Sequence, residues 1–126
     1  MIGLRGVGAR VAAADIVEGN LQSLREYGSE SELFLAKLDV IDNAAMIAWA
    51  VSVKDHFGVV DGIFNNAGVA LSGHAAEQPR KHMEWLFGVN YWGVINGVEA
   101  FLPVLLTRPE VCVVNVSSLF GLRSMP

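Results

Sequence analysis

The sequence predicts an α/β fold on a parallel sheet, and three observations carry that prediction. Short apolar runs alternate along the chain with longer segments of helical period. The runs are apolar at successive positions, the mark of strands covered on both faces. Each run ends in polar or small residues, where an open sheet of this kind places its ligands.

The elements follow in order. Val11-Ala12-Ala13-Ala14, stopping at Asp15, reads as a short strand, and Val17 to Tyr27 as a polar helix that Gly28 ends. Leu33 to Leu38 reads as a second strand, running into Asp39-Val40. Asp42 is suited to cap the next helix. Within that helix Met46, Trp49, Ala50, Val53 and Phe57 recur at the spacing of one face, and Gly58 stands just past its end. Val59 to Phe64 is a third strand, opening into Asn65-Asn66-Ala67-Gly68. A long helical region from about Glu77 to Thr107 follows, with Pro103 expected to bend or interrupt it. Val111 to Val116, nearly all apolar and β-branched, is a fourth strand ending at Ser117-Ser118. Asp15, Asp39-Val40, Asn65 to Gly68 and Ser117-Ser118 are thus the strand-end residues. They suit a nucleotide crevice, although a sheet that only packs also ends in turn formers.

The totals narrow the class. A chain of 126 residues is enough for one domain with a real core, and no repeat, linker or composition shift marks a second. With 52% hydrophobic and 17% charged residues, it is not a disordered chain. A formal charge of -4 offers no basic field for a phosphate backbone, so no nucleic-acid partner is expected. The single cysteine, Cys112, excludes an internal disulfide framework; set among valines, it reads as a reduced core residue in a cytoplasmic protein. No signal-peptide stretch opens the chain and no apolar run approaches the ~20 residues of a membrane span, so no membrane partner is expected either. Val89 to Leu106, the most apolar stretch, is broken by Asn90, Asn96 and Glu99. His56, His74 and His82 show no metal-ligand spacing, so no metal site is expected. Trp49, Trp85 and Trp92 read as core or subunit contacts, and Arg80-Lys81-His82 as a solvated helix face.

Four segments, in order, resemble the short-chain dehydrogenase/reductase family. Asn65-Asn66-Ala67-Gly68 is similar to the family's Asn-Asn-Ala-Gly motif, and Val89-Asn90-Tyr91-Trp92-Gly93-Val94 to the segment carrying its helix asparagine. Asn115-Val116-Ser117-Ser118 is similar to the strand end that carries its serine, and Gly8 to Asp15 to its second strand. The resemblance covers essentially the whole chain and implies a Rossmann-type doubly wound parallel sheet. Two departures stand beside it. Gly3-Leu4-Arg5-Gly6-Val7-Gly8 misses the family's Thr-Gly-x-x-x-Gly-x-Gly loop by one residue, with no strand before it. Asp15 follows Gly8 by only seven positions, where a dinucleotide fingerprint needs a helix between and an acid about 20 residues on. Gly6 and Gly8 therefore read as the turn after a first helix. Nor does Tyr27 or Tyr91 have a lysine four residues later; Ser31 and Ile95 stand there. The expectation is an internal piece, residues 1–126, of a dinucleotide-binding domain, its sheet incomplete for want of the first and the C-terminal strands.

The resemblance also implies roles. In the family a tyrosine with its pKa lowered by a lysine is the acid/base, a serine meets the substrate oxygen, and a helix asparagine orders a proton-relay water. Ser118 and Asn90 match the last two; local alternatives are a turn cap and an amide bonded to nearby backbone. Asn90 lies in an apolar helix, where an amide is costly unless satisfied. Asp15 would accept both hydroxyls of the adenosine ribose, and Ile16 offers no cation for a 2′-phosphate, which favours NAD over NADP. Asp39 and Val40 resemble the pair that contacts the adenine, by side chain and backbone N–H. Asn65, Asn66, Ala67 and Gly68 are small where cofactor and backbone pass close. The implied reaction is hydride transfer between the nicotinamide and a small-molecule alcohol or ketone, in a parent expected to be a homo-oligomer through the Glu77–Thr107 helix. Two rivals remain: a truncated, non-catalytic nucleotide-binding or oligomerising module, and a relative of the sugar epimerases, against which the Asn-Asn-Ala-Gly run speaks.

Overall fold

A computed structural model of the chain describes residues 2–119. A short helix, α1 (Ile2–Gly6), comes first. The Ala9 N–H closes back on the Leu4 carbonyl at 3.1 Å, and Gly8 holds the left-handed φ of 82° that this closure requires. Gly8 is thus a helix-stopping glycine, as its short distance to Asp15 predicts. Strand β1 (Val11–Asp15) then leads to α2 (Glu18–Gln22). The helix expected to reach Tyr27 stops early and gives way to a 3-10 turn at Arg25–Tyr27. Its N-cap is Val17, which has no side-chain acceptor, and only Leu21 of its five residues is buried. Little tertiary packing therefore extends it.

After β2 (Leu33–Lys37) comes α3 (Asn43–Phe57), the best-formed helix. The Asp42 side chain accepts from the Ala45 N–H at 2.9 Å, and Gly58 ends the helix with φ 79°. Met46, Trp49, Ala50 and Val53 are its buried face, as the periodicity predicts. Beyond β3 (Gly62–Asn65) lie a 3-10 turn at Ala75–Glu77 and then α4 (Arg80–Phe87). A π-helical turn over Gly88–Trp92 joins α4 to α5 (Gly93–Leu105), and β4 (Cys112–Asn115) follows. The irregularity in this long helical region is therefore the π turn and not Pro103. Pro103 stands two residues from the end of α5, and Glu99, whose carbonyl its ring deprives of a donor, is exposed to water.

The strands form two parallel pairs. Val11 to Asp15 runs beside Leu33 to Lys37, and Gly62 to Asn65 beside Cys112 to Asn115. No ladder joins β1 to β3, so the described residues make two ladders rather than one sheet. What unites them is the helical layer. Leu38, Met46, Trp49, Ala50, Val53, Val60, Ala100, Phe101 and Leu105 form one buried cluster, with Ala12, Ala36 and Ile63 of three strands packed against it. α3 and α5 lie side by side over both pairs.

Two expectations fail on β4. Cys112 is exposed, not a core residue, and the strand is not covered on both faces. Along β3 exposure alternates, with Ile63 half-buried toward the helices and Phe64 52% exposed on the other side. Val113 of β4 is 42% exposed. In this strand pair Ile63 meets the helical cluster, and Phe64 on the opposite face is left half open to water.

Candidate functional site

The long helix gathers the strand ends. A Cβ on Gly93 would fall 2.6 Å from Cγ2 of Val40, just beyond β2, and one on Gly97 would collide with the Asn65 side chain that ends β3. The first turns of α5 therefore lie against the carboxyl ends of both strand pairs. Asp15, Asp39-Val40, the Asn65–Gly68 run and Ser118 are thereby brought to a single edge of the molecule, the edge where open α/β sheets bind ligands.

Asp15 closes β1 and is half-buried. Its Oδ1 accepts from the Val17 N–H at 2.7 Å and its Oδ2 from the Asn20 amide at 3.1 Å. A carboxylate oxygen can accept more than one hydrogen bond, so each oxygen keeps an acceptor position beyond these two bonds. Ile16 beside it is 57% exposed and carries no charge. Asp39 accepts from the Ile41 N–H at 3.0 Å, and the Asp42 N–H reaches the Asp39 carbonyl at 3.1 Å, closing a tight turn over Asp39–Asp42. Val40 and Ile41 face α5 across that turn.

The Asn65 Nδ2 donates to Oδ1 of Asn115 at 2.8 Å, and the Val116 N–H donates to the Asn65 carbonyl at 3.0 Å, so Asn65 ties β3 to β4. Its side chain serves the fold. Asn66 and Ala67 are exposed. Gly68 has no left-handed φ, and an added Cβ would meet Oδ1 of Asn90 at 3.7 Å and the Asn66 carbonyl oxygen at 3.9 Å, both ordinary contacts. Among the described residues nothing demands glycine there.

Asn90 sits in the π turn and is exposed, so its amide is not a group stranded in apolar surroundings. Both ends of that amide are engaged. Oδ1 accepts from the Val69 N–H at 2.8 Å, and Nδ2 donates to the Val69 carbonyl at 2.8 Å. The amide thus pins the segment that follows Gly68 to the long helix. Ser118 lies just beyond β4, exposed, on the same edge.

Three asparagines at this edge escape the sequence reading: Asn20, which braces Asp15; Asn115, the partner of Asn65; and Asn96. Asn96 is the one buried polar side chain among the described residues, 6% exposed. Its Nδ2 donates to the carbonyls of Val40 at 2.9 Å and Ile41 at 3.2 Å. The signal existed: an amide in an apolar helix needs partners. That argument applies to Asn96 with more force than to Asn90.

Other candidates drop out of the chemistry. The Glu26 carboxylate, by hydrogen bond and charge, holds the Tyr27 phenol above its usual pKa, the wrong direction for an acid/base tyrosine. His56 stacks on Phe34 with ring centroids 4.4 Å apart and bonds the Glu30 carbonyl at 2.9 Å, which puts it at the start of β2 and not at the carboxyl strand ends. Trp49 is core, while Trp85 and Trp92 are 45% and 55% exposed. Among the described residues no group of three or more His, Cys, Asp or Glu could hold a metal ion, and no helix is long and apolar enough to cross a membrane.

The sequence profile of the short chain dehydrogenases matches residues 3–126. The chain is 37% identical over 124 residues to the short-chain dehydrogenase/reductase aba4 of Botryotinia fuckeliana, covering 91% of this chain and 46% of that protein. A crystal structure of a short-chain dehydrogenase/reductase from Burkholderia phymatum in complex with NAD superposes with a TM-score of 0.88 at 36% identity, over 97% of this chain and 44% of that one. A closed serine dehydrogenase complexed with NADP+ superposes equally well, TM-score 0.88 at 26% identity, over 98% of this chain and 50% of that one. The chain spans less than half the length of the curated relatives it matches. The two strand pairs and their helices are thus a partial Rossmann sheet.

Proposed function

This chain belongs to the short-chain dehydrogenase family of oxidoreductases, and from that premise we propose that it forms the cofactor-holding part of an NAD-dependent enzyme that moves a hydride between nicotinamide and a small-molecule alcohol or ketone. The observation that carries the reading is the convergence at one edge: Asp15, Asp39-Val40, Asn65–Gly68, Asn90 and Ser118 all stand beside the first turns of α5 or the strand ends they gather.

The residues present suit the adenosine half of a dinucleotide. Asp15 has an acceptor position open on each oxygen, the arrangement a vicinal diol fills, and a fixed anion there repels a 2′-phosphate. Ile16 brings no cation to offset that repulsion, and this supports NAD over NADP. Asp39 and Val40 would meet the adenine at the mouth of their turn. The nicotinamide, when bound, supplies the hydride chemistry. Around it the chain's own groups act by position. Gly68, where no protein contact requires the missing Cβ, leaves room for the cofactor to pass. Asn90 holds the following segment through Val69, and as a catalytic residue would order a water in the proton path. Ser118 would hydrogen-bond the substrate oxygen and orient the reacting carbon.

We further propose that residues 1–126 alone form an incomplete dinucleotide-binding domain without turnover. No ladder joins the two strand pairs, and neither tyrosine has a lysine four positions on. The parent is proposed to be a cytoplasmic homo-oligomer that packs its α4–α5 region against a second copy, where Phe87, Tyr91, Trp92 and Leu106 are exposed. The test is a pair of assays on the full-length protein: titration with NAD and NADP, then turnover on a panel of secondary alcohols and ketones. The expected result is NAD-linked turnover. Faster turnover with NADP would overturn the cofactor assignment, and no turnover with either would overturn the reaction.

A further inference from the structure

We infer that Asn96 is a positioning residue for cofactor binding: from inside α5 it fixes the height of the Asp39–Asp42 turn, and with it the adenine end of the site. The inference rests on the proposed placement of the adenine at Asp39 and Val40. Four observations converge on that turn. Asn96 is 56 and 55 residues away in sequence from the two carbonyls it bonds, so its amide is a tertiary tie and not a local one. It is buried, and Nδ2 carries two protons with one carbonyl for each. Gly93, one turn earlier, lets Val40 approach to where a methyl group would stand 2.6 Å from Cγ2. Gly88 does the same for Ile41, whose Cδ1 would lie 3.0 Å from an added Cβ.

The turn is rigid within itself, through the Asp39–Ile41 bond and the capping of α3 by Asp42. What it lacks is any ladder to the long helix, since β2 ends at Lys37. Asn96 supplies that connection. The turn is anchored on its β2 side by the Leu38 N–H, which donates to the Asp15 carbonyl at 3.1 Å, and among the described residues its hydrogen bonds to the helix side come from Asn96; with those lost, the rigid turn pivots as a body about its β2 anchor. Asp39 and Val40 would then move together relative to Asp15, and the ribose and adenine contacts would fall out of register. The nicotinamide end would keep its geometry, because Asn90 and Asn65 are held by bonds of their own to Val69 and Asn115.

The experiment compares AMP, nicotinamide mononucleotide and NAD as ligands of the full-length protein, wild type against Asn96→Asp. The aspartate has nearly the same volume but turns an oxygen, not an N–H, toward the Val40 and Ile41 carbonyls. We expect AMP and NAD to bind at least fivefold more weakly, nicotinamide mononucleotide to bind within twofold of wild type, and KM for NAD to rise while kcat at saturation holds. Gly93→Ala presses on Val40 from the same helix without touching the amide, and should give the same split; if Asn96→Asp does not fold, this variant decides. Unchanged AMP affinity in a folded variant overturns the inference. So does an equal loss for AMP and nicotinamide mononucleotide, which would mean general loosening. A wild-type protein that binds neither half overturns the dinucleotide site itself, and the inference with it.

Discussion

At the residue scale the proposed cofactor preference depends on one carboxylate. Asp15 already satisfies the start of α2 and Asn20, so its orientation is set before any ligand arrives. Replacing it by Ala in the full-length protein should weaken NAD binding by roughly 1–3 kcal/mol, the range for hydrogen bonds to a charged group, and should narrow the gap between NAD and NADP. Calorimetric titration with both dinucleotides checks this; an unchanged NAD affinity would reduce Asp15 to a helix cap. Ser118 makes the opposite prediction. Its hydroxyl is assigned to the substrate oxygen, so Ser118→Ala should lower kcat by tenfold or more and leave the NAD affinity within twofold. Wild-type turnover in that variant would mean a local structural hydroxyl. These two residues are legible in the sequence because each stands at the end of an apolar run, where a strand must stop and a ligand can reach.

At the scale of elements, α3 and α5 carry the stability that holds the site. Asp42 is the side-chain cap of α3, and Asp42→Ala should cost about 1 kcal/mol. Leu105 of α5 is fully buried, 0% exposed, and Leu105→Ala should cost about 2–5 kcal/mol through lost burial and the cavity left behind. Urea unfolding of the full-length protein separates the two: a larger effect for Asp42→Ala than for Leu105→Ala would contradict this packing. The capping glycine, the capping aspartate and the apolar face of α3 could be read from sequence because they are local signals with a fixed spacing. The early end of α2, the π turn and the uninterrupted passage through Pro103 could not. Each depends on what lies opposite: too little buried surface over α2, the Val69 backbone opposite Asn90, and water around Glu99.

At the scale of the whole molecule, the two strand pairs share a helical roof and no ladder. Among the described residues each strand is therefore paired on one edge only, and each buried backbone group left unpaired costs about 1–3 kcal/mol. Several such groups rival the ~5–15 kcal/mol by which a domain is stable. Residues 1–126 expressed alone should accordingly be aggregated or molten, melt without cooperativity, and show no hydride transfer. Thermal unfolding with size-exclusion chromatography is the check; a soluble, cooperatively melting monomer that binds NAD tightly would support a self-sufficient binding module. The exposed Phe64, with Cys112 on the same face of the strand pair, belongs to the same physics: β3 and β4 are apolar on both sides, and the helical layer meets the Ile63 side.

The sequence by itself determined the class of fold, the order of strands and helices, the family, and the strand-end residues that form the candidate site. These rest on periodicity, on turn formers and on short motifs, all of which act over a few residues. Only the tertiary structure decided which amides do the bracing. Asn90 and Asn96 are six residues apart in one apolar helical stretch and indistinguishable by composition. Asn90, inside the π turn, stays at the surface against Val69, while Asn96, a turn into α5, is buried against Val40 and Ile41. Which partner an amide finds depends on the rotation of the helix about its axis and on a loop some 50 residues away in the chain, and neither is a local property of the sequence.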